Sequence, residues 1–299
     1  MSETTDVRVG VVILPQAPWR EARRTWMLAE ELGFDHAWTY DHLSWRSLAG
    51  EPWGATVPTL TAAATATSRI RLGVFVSSPN FRHPVPFAKD VASVDEISGG
   101  RLLLGIGSGG TGFDATVLGQ ETLSPRQRHD RFAEFTGLLD ELLRFERPGS
   151  GGISASGDWY TAHEARMVGT PAQTPRVPFV IAANGPKALA LVAGHGDGWA
   201  TTGKPDASGA GWWAGVGELR TRLDEALAAA GRDPRSVGRY LSLDSAERYS
   251  LASVAAFEDA VGRAAELGFT DVIAHWPRAE GLYAGSEDVV REVAGRRGS

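Results

Sequence analysis

Short apolar runs alternate with longer stretches of helical periodicity along almost the whole chain. Arg8–Leu14 (RVGVVIL) reads as a buried strand, and Trp19–Leu32 follows with apolar residues at helical spacing. Gly33 then suits the left-handed cap that closes a helix. The same rhythm predicts strands at Ala37–Tyr40, Ile70–Val76 and Arg101–Gly107, with helices at Pro58–Thr67, Val85–Ile97 and Arg126–Arg144. In the last of these helices Phe132, Phe135, Leu138, Leu139 and Leu142 make a single apolar face. Further on, strands are predicted at Phe179–Ala182, Gly198–Thr201, Arg239–Leu243 and Asp271–Trp276. Their helices are Pro186–Ala193, Glu218–Ala230, Val254–Leu267 and Glu287–Val293, with Gly231 and Gly268 as closing glycines.

About eight βα units are the number that closes a parallel barrel. The expected fold class is therefore α/β, a (β/α)8 TIM barrel, with residues 1–299 forming one domain. An open doubly wound sheet is the alternative, but it gives no reason for so many unbroken units. The rhythm breaks only over about 145–178, where Gly149–Gly152 reads as a turn and Asp158–Val168 as a short hairpin. This segment is expected to be an insertion after the fourth βα unit.

Composition narrows the class without changing it. With 42% hydrophobic and 22% charged residues, the chain can build a large core. The net charge of −6, with no basic run, gives a nucleic-acid groove little support. The absence of cysteine excludes disulfides, thiolate metal sites and a cysteine nucleophile. The polar start MSETTDVRVG lacks a signal core, and no stretch reaches the roughly 18 apolar residues of a membrane span. A cytoplasmic protein without a membrane partner is expected.

In such barrels the residues just after each strand build the active site. Four of these segments carry chemistry. The second strand ends in Tyr40-Asp41-His42, with Trp45 and Trp53 in the same loop. The third runs into Ser77-Ser78-Pro79-Asn80-Phe81-Arg82-His83-Pro84, and the fourth into Gly105-Ile106-Gly107-Ser108-Gly109-Gly110-Thr111-Gly112. The fifth gives Asn184-Gly185 at a helix start, where free N–H groups and the positive dipole end suit a phosphate; a plain turn is the alternative. Gly105, Gly107 and Gly110 fit GxGxxG, but the next helix begins only near Arg126, too late for a dinucleotide fold. Glycines that let a flat ring approach the backbone fit better.

His42 is the candidate acid or base, because imidazole titrates near neutrality and Asp41 is at hand to orient it. A histidine bonded in a structural loop is the alternative. His83 between prolines and His195 at a helix end read as structural, and His129 as solvated. No HExxH spacing or GxSxG elbow is present, so neither a metal site nor a serine nucleophile is expected. Trp38, Trp45, Trp53, Trp199 and Trp276, from a total of ten tryptophans, fall in or just beyond strands. Several at one rim would line an aromatic pocket for a flat cofactor and an organic substrate.

Taken in order, AEELGFDHAWTYDHL, RIRLGVFVSSPNFRHP, VDEISGGRLLLGIGSG, PFVIAANGPKALALVAGHGDGWATTGK and GFTDVIAHW resemble the bacterial-luciferase-like superfamily (the LLM class) of flavin- and F420-dependent oxidoreductases. The resemblance covers nearly the whole chain. It implies a barrel with the insertion already noted, and a non-proline cis peptide at Phe75–Val76 that bulges beneath the cofactor ring. Asp41, Ser78, Gly107 and Ser108 are implied as contacts of the ring or its side chain, and Asn184 and Gly185 as the phosphate site. His42 matches the proton donor or acceptor of the deazaflavin members, with Trp45 beside the ring.

The Asp-His-x-x-Trp loop and SSPNFRHP are more similar to the branch that uses coenzyme F420 for hydride transfer to or from a small or medium organic substrate. The alternatives are an FMN-dependent monooxygenase, supplied with reduced flavin by a separate reductase, and a non-catalytic flavin or F420 carrier. Gly110 stands where the glucose-6-phosphate dehydrogenases of that branch have an acid, and Lys204 matches only one basic residue of their phosphate site. A less charged substrate suits the tryptophan-lined rim better. The family also implies a homodimer.

Overall fold

A computed structural model describes residues 7–145, 151–169, 171–204 and 208–297. Among these residues every predicted barrel strand is present. They are β1 (Arg8–Val12), β2 (His36–Thr39), β3 (Arg71–Ser77), β4 (Leu102–Ile106), β7 (Phe179–Ala182), β8 (Gly198–Thr201), β9 (Gly238–Ser242) and β10 (Asp271–His275). They form a closed barrel in the order β1-β10-β9-β8-β7-β4-β3-β2. The strands read as continuous apolar runs because parallel strands under helices are buried on both faces.

A helix follows each strand: α1 (Trp19–Glu31), α2 (Thr56–Ala66), α3 (Pro84–Ser98), α4 (Pro125–Leu143), α5 (Pro186–His195), α6 (Gly209–Ala229), α7 (Val254–Glu266) and α8 (Glu287–Arg297). Local signals set their ends. Ser124 and Gln127 form a reciprocal capping box with Pro125 in the first turn of α4. Gly33, Gly231 and Gly268 carry φ of 76°, 67° and 78°, the left-handed geometry expected where a helix closes. The predicted apolar stripe of α4, Phe132 to Leu142, is buried.

Contacts divide the chain into two compact units. The first comprises the chain up to Leu14, Arg24–Trp38 and everything from Val180. Its parallel strands β7 to β10 pair in turn, β10 pairs with β1, and β1 with β2. Trp26, Trp38, Trp199 and Trp212 are fully buried in it, so Trp38 and Trp199 are core side chains and do not line a rim.

A polar network crosses the strands here. Trp38 Nε1 donates to His36 Nδ1 (2.6 Å), which leaves His36 Nε2 facing Asp271 (3.1 Å). Arg8 donates to both Asp271 oxygens (2.8 and 2.7 Å) and Thr270 to one (2.6 Å). Burial opposes ionisation of Asp271, but the bonds from His36, Arg8 and Thr270 outweigh it and hold the carboxyl below its ordinary value. The unfolded state then binds the proton more readily. The stabilisation is complete above the unfolded carboxylate's value near 4 and is lost as pH falls through the lower folded value. Urea midpoints measured across this acid range should fall for the native chain. The loss should be shallower in Asp271→Asn, which starts from a lower midpoint.

The second unit comprises Pro15–Arg23 and Thr39–Phe179. Strands β3 and β4 pair in parallel, with a register shift between Val74 and Ser77. The Phe75–Val76 peptide is cis, as expected from the resemblance. The insertion holds an antiparallel pair, β5 (Ile153–Ser156) and β6 (Thr161–Ala165). The hairpin thus starts earlier than Asp158–Val168, because the polar run ISAS gives little strand signal. Glu134 on α4 anchors its turn by accepting from the N–H groups of Trp159 (3.1 Å) and Tyr160 (2.6 Å). Gly149 and Ser150 of the predicted turn lie outside the described residues.

Candidate active site

The loop after β2 opens with Tyr40-Asp41-His42, and the two polar residues diverge, as neighbours leaving a strand usually do. His42 Nδ1 meets Asp114 Oδ2 at 2.5 Å, and the Leu43 N–H donates to Asp114 Oδ1 (3.0 Å). The partner of His42 is therefore Asp114, delivered by the loop after β4, and not the adjacent Asp41. A carboxylate accepting from Nδ1–H fixes the tautomer and leaves Nε2 for an external partner. The imidazole is 32% exposed while Asp114 is 5% exposed, the arrangement of an accessible group on a buried support.

Exposure separates this pair from two others. His36–Asp271 is closed at 2% and 0%, and His275–Asp244 at 1% and 0%. Asp244 also accepts from Ser250, and Tyr283 stacks on His275 with ring centroids 3.7 Å apart. These are clamps within the first unit. His83 is structural too: its Nδ1 accepts from Val85 N–H at the start of α3, and burial lowers its pKa in keeping with that acceptor role.

Aromatic rings surround His42. Trp45 is buried and stacks on Trp53 (6.0 Å, 26°), and Tyr40 holds its other side at 5.1 Å. His42 lies 6.4 Å from each tryptophan ring. The Trp53 indole N–H is buried without a hydrogen-bond partner, a donor left over for something the protein does not supply. Of the five strand-associated tryptophans, these two make the aromatic wall.

Asp41 is a brace. Its carboxylate accepts from Arg82 through both oxygens (2.7 and 3.0 Å) and from Ser77 Oγ (2.6 Å), and it is 2% exposed. These bonds tie the loop after β2 to the end of β3. Gly107 N–H donates to Ser77 O (2.9 Å), so the glycine loop hangs from the same point. Ser78 is buried beside it and Ser108 is half-buried.

Asn80 joins these loops further out. It accepts from Arg131 (2.6 Å), donates to Gly110 O (3.3 Å), and its carbonyl accepts from Gln120 (2.7 Å). Sequence reasoning assigned no role to Ser77, Asn80, Arg82, Gln120 or Arg131. Gly109 has φ +74°, and a Cβ there would sit 2.7 Å from Asn80 Oδ1. Gly109→Ala should therefore cost about 1–2 kcal/mol from the left-handed backbone alone, with more from displacing Asn80. Its thermal midpoint, set beside that of Gly110→Ala, where the space is open, measures the difference.

Asn184 and Gly185 lie in the first unit, at the start of α5. The Asn184 side chain is committed, accepting from Thr201 Oγ1 (2.7 Å) and donating to Gly203 O (2.8 Å). Gly185 is exposed at the N-cap, no side chain caps the helix, and nothing lies within 4 Å of where a Cβ would stand. The start of α5 is thus uncapped by any side chain, and the positive dipole end of a helix suits an anionic group. No group of metal-ligating side chains occurs among the described residues. Among them, too, no helix is long and apolar enough to cross a membrane.

The sequence model of the luciferase-like monooxygenase family matches residues 4–291. The F420-dependent hydroxymycolic acid dehydrogenase of Mycobacterium tuberculosis is 32% identical over 80% of this chain and 60% of its own length. The F420-dependent glucose-6-phosphate dehydrogenase of Amycolatopsis mediterranei is 32% identical over 72% of this chain and 61% of its own. The chain thus spans about 60% of the length of these relatives. A solved F420-dependent secondary alcohol dehydrogenase matches its fold with a TM-score of 0.78 at 16% identity, covering 96% of this chain and 98% of that one. With nearly its full length matched, the chain belongs to the luciferase-like monooxygenase family.

Proposed function

We propose that this protein is a coenzyme F420-dependent oxidoreductase that moves a hydride between the deazaflavin and a small or medium organic substrate. The observation that carries the reading is the half-exposed His42 on buried Asp114, set among Trp45 and Trp53. The two relatives, both F420-dependent dehydrogenases, support the cofactor. When bound, F420 supplies the two-electron hydride chemistry, and the protein supplies orientation and proton transfer.

The residues present fit such a group. Within the first unit, the uncapped start of α5 at Gly185 suits a phosphate, with Asn184 holding the turn in shape. Phe75, Val76, Ser78, Gly107 and Ser108 would hold the ring and side chain, with Asp41 fixing the loops that carry them. For an alcohol, His42 Nε2 accepts the hydroxyl proton as the carbon gives up its hydride, and Asp114 stabilises the resulting imidazolium. In the reverse direction the same nitrogen returns the proton. Trp45 and Trp53 would give this position an aromatic wall. A homodimer is part of the proposal.

Reduced and oxidised F420 and FMN, each offered with and without air, test this reading. Oxygen-independent turnover with F420 is the expected result. FMN-dependent oxygen consumption with a partner reductase would overturn it, and binding without turnover of any substrate would make the protein a carrier.

A further inference from the structure

Helix α4 carries Arg128 and Arg131 one turn apart, and among the described residues neither meets a carboxylate. The acids beside them are engaged elsewhere: Asp130 pairs with Arg126 (3.6 Å), and Glu134 accepts from the N–H groups of Trp159 and Tyr160. Arg128 donates to the Leu123 carbonyl (3.0 Å), and Arg131 to the side-chain oxygen of Asn80 (2.6 Å). Arg131 is 8% exposed, and its Nε–H is buried without a hydrogen-bond partner. Burial works against its charge, and Arg128 repels it. A cation taken out of water with no counter-charge is among the costlier arrangements a fold can hold. A second orphan lies close by. Tyr160, also 8% exposed, interacts electrostatically with Arg131, and its hydroxyl too is buried without a partner. Its ring packs against Phe135 (5.9 Å) and His83 (5.2 Å), and its backbone N–H is held by Glu134. A water molecule could satisfy both donors, but it would leave the charge uncompensated; an anion does both.

We infer that Arg131, Tyr160 and Arg128 form a binding site for a phosphate-type oxyanion, held by the Arg131 Nε–H and the Tyr160 hydroxyl, with Arg128 supplying a second charge. Arg128 is half-buried and His83 exposed, so the cluster lies close to the surface. The ion is either free phosphate or the phosphate of a larger ligand. Asn80 links the site to the glycine loop, because the same side chain bonds Arg131 and the Gly110 carbonyl. All of these residues belong to the second unit, and the inference does not depend on the hydride-transfer reading.

The test is calorimetric titration of the full chain with inorganic phosphate at fixed ionic strength, with chloride as the control ion. The native chain should bind phosphate and not chloride. Tyr160→Phe keeps the ring and removes only the hydroxyl, and should weaken phosphate binding about tenfold, the worth of one hydrogen bond to a charged group. Arg131→Gln should weaken it about 100-fold or more. If that variant fails to fold, Tyr160→Phe carries the test alone. Tyr160-dependent binding that survives saturation with F420 identifies free phosphate as the source, and binding that F420 abolishes identifies the phosphate of the larger ligand. No phosphate binding, or binding matched by chloride, overturns the inference and leaves the two orphans to water. Phosphate affinity unchanged in Tyr160→Phe also overturns it, and moves the ion to another site such as the uncapped start of α5.

Discussion

Replacing His42 with alanine should lower kcat by about two to four orders of magnitude, the range supplied by a positioned general acid or base. F420 affinity should change by only a few-fold, because other residues are proposed to bind the cofactor. The geometry gives a second, sharper expectation. Asp114 acts through His42, so Asp114→Asn should keep the imidazole in place while weakening the bond that orients it. Its kcat should fall less, by about 10- to 100-fold, with KM little changed. A variant that keeps full activity would make Asp114 a packing residue only.

Replacing Asp41 with alanine should cost about 3 kcal/mol of stability, at the lower end of what is lost when one partner of a buried pair is removed. Arg82 is left without its carboxylate while its guanidinium stays against Phe81 and Phe87 (5.0 and 5.2 Å). Burial works against its charge, and Asp41 now holds that charge in place. Burial raises the Asp90 carboxyl nearby, so Asp90 is a weak substitute. Urea unfolding of Asp41→Ala, and of the double variant with Arg82→Met, separates the causes. The double variant should recover part of the loss, because no unpaired cation then remains. A loss below about 1 kcal/mol in the single variant would show that the brace is not energetically buried.

Much of the fold was legible because buried parallel strands and amphipathic helices imprint their periods directly on the sequence. The failures have physical causes. Helix α6 begins at Gly209, well before the predicted Glu218, because glycines at 209, 211, 215 and 217 depress helix propensity there. Burial of Trp212 and Val216 overrides that weakness. The site was legible in its local part, since Asp41, His42 and Trp45 share one loop. Asp114 lies 72 residues from His42, and only closing the strands brings them together. One local signal could have found it: a lone acid in an otherwise uncharged rim loop needs a nearby proton or cation. The commitment of Asn184 to Thr201 and Gly203 was likewise invisible, because that loop is local only in three dimensions.

Isotope tracing distinguishes direct hydride transfer from an oxygen-dependent reaction. The protein would turn over anaerobically with F420 and a 2-alkanol deuterated at its carbinol carbon, and the reduced cofactor and product would be weighed by mass spectrometry. One deuterium carried into the reduced cofactor, with an unlabelled ketone as product, is the predicted result. Deuterium released to water, or turnover that begins only when oxygen is admitted and leaves an oxygen atom in the product, would contradict it.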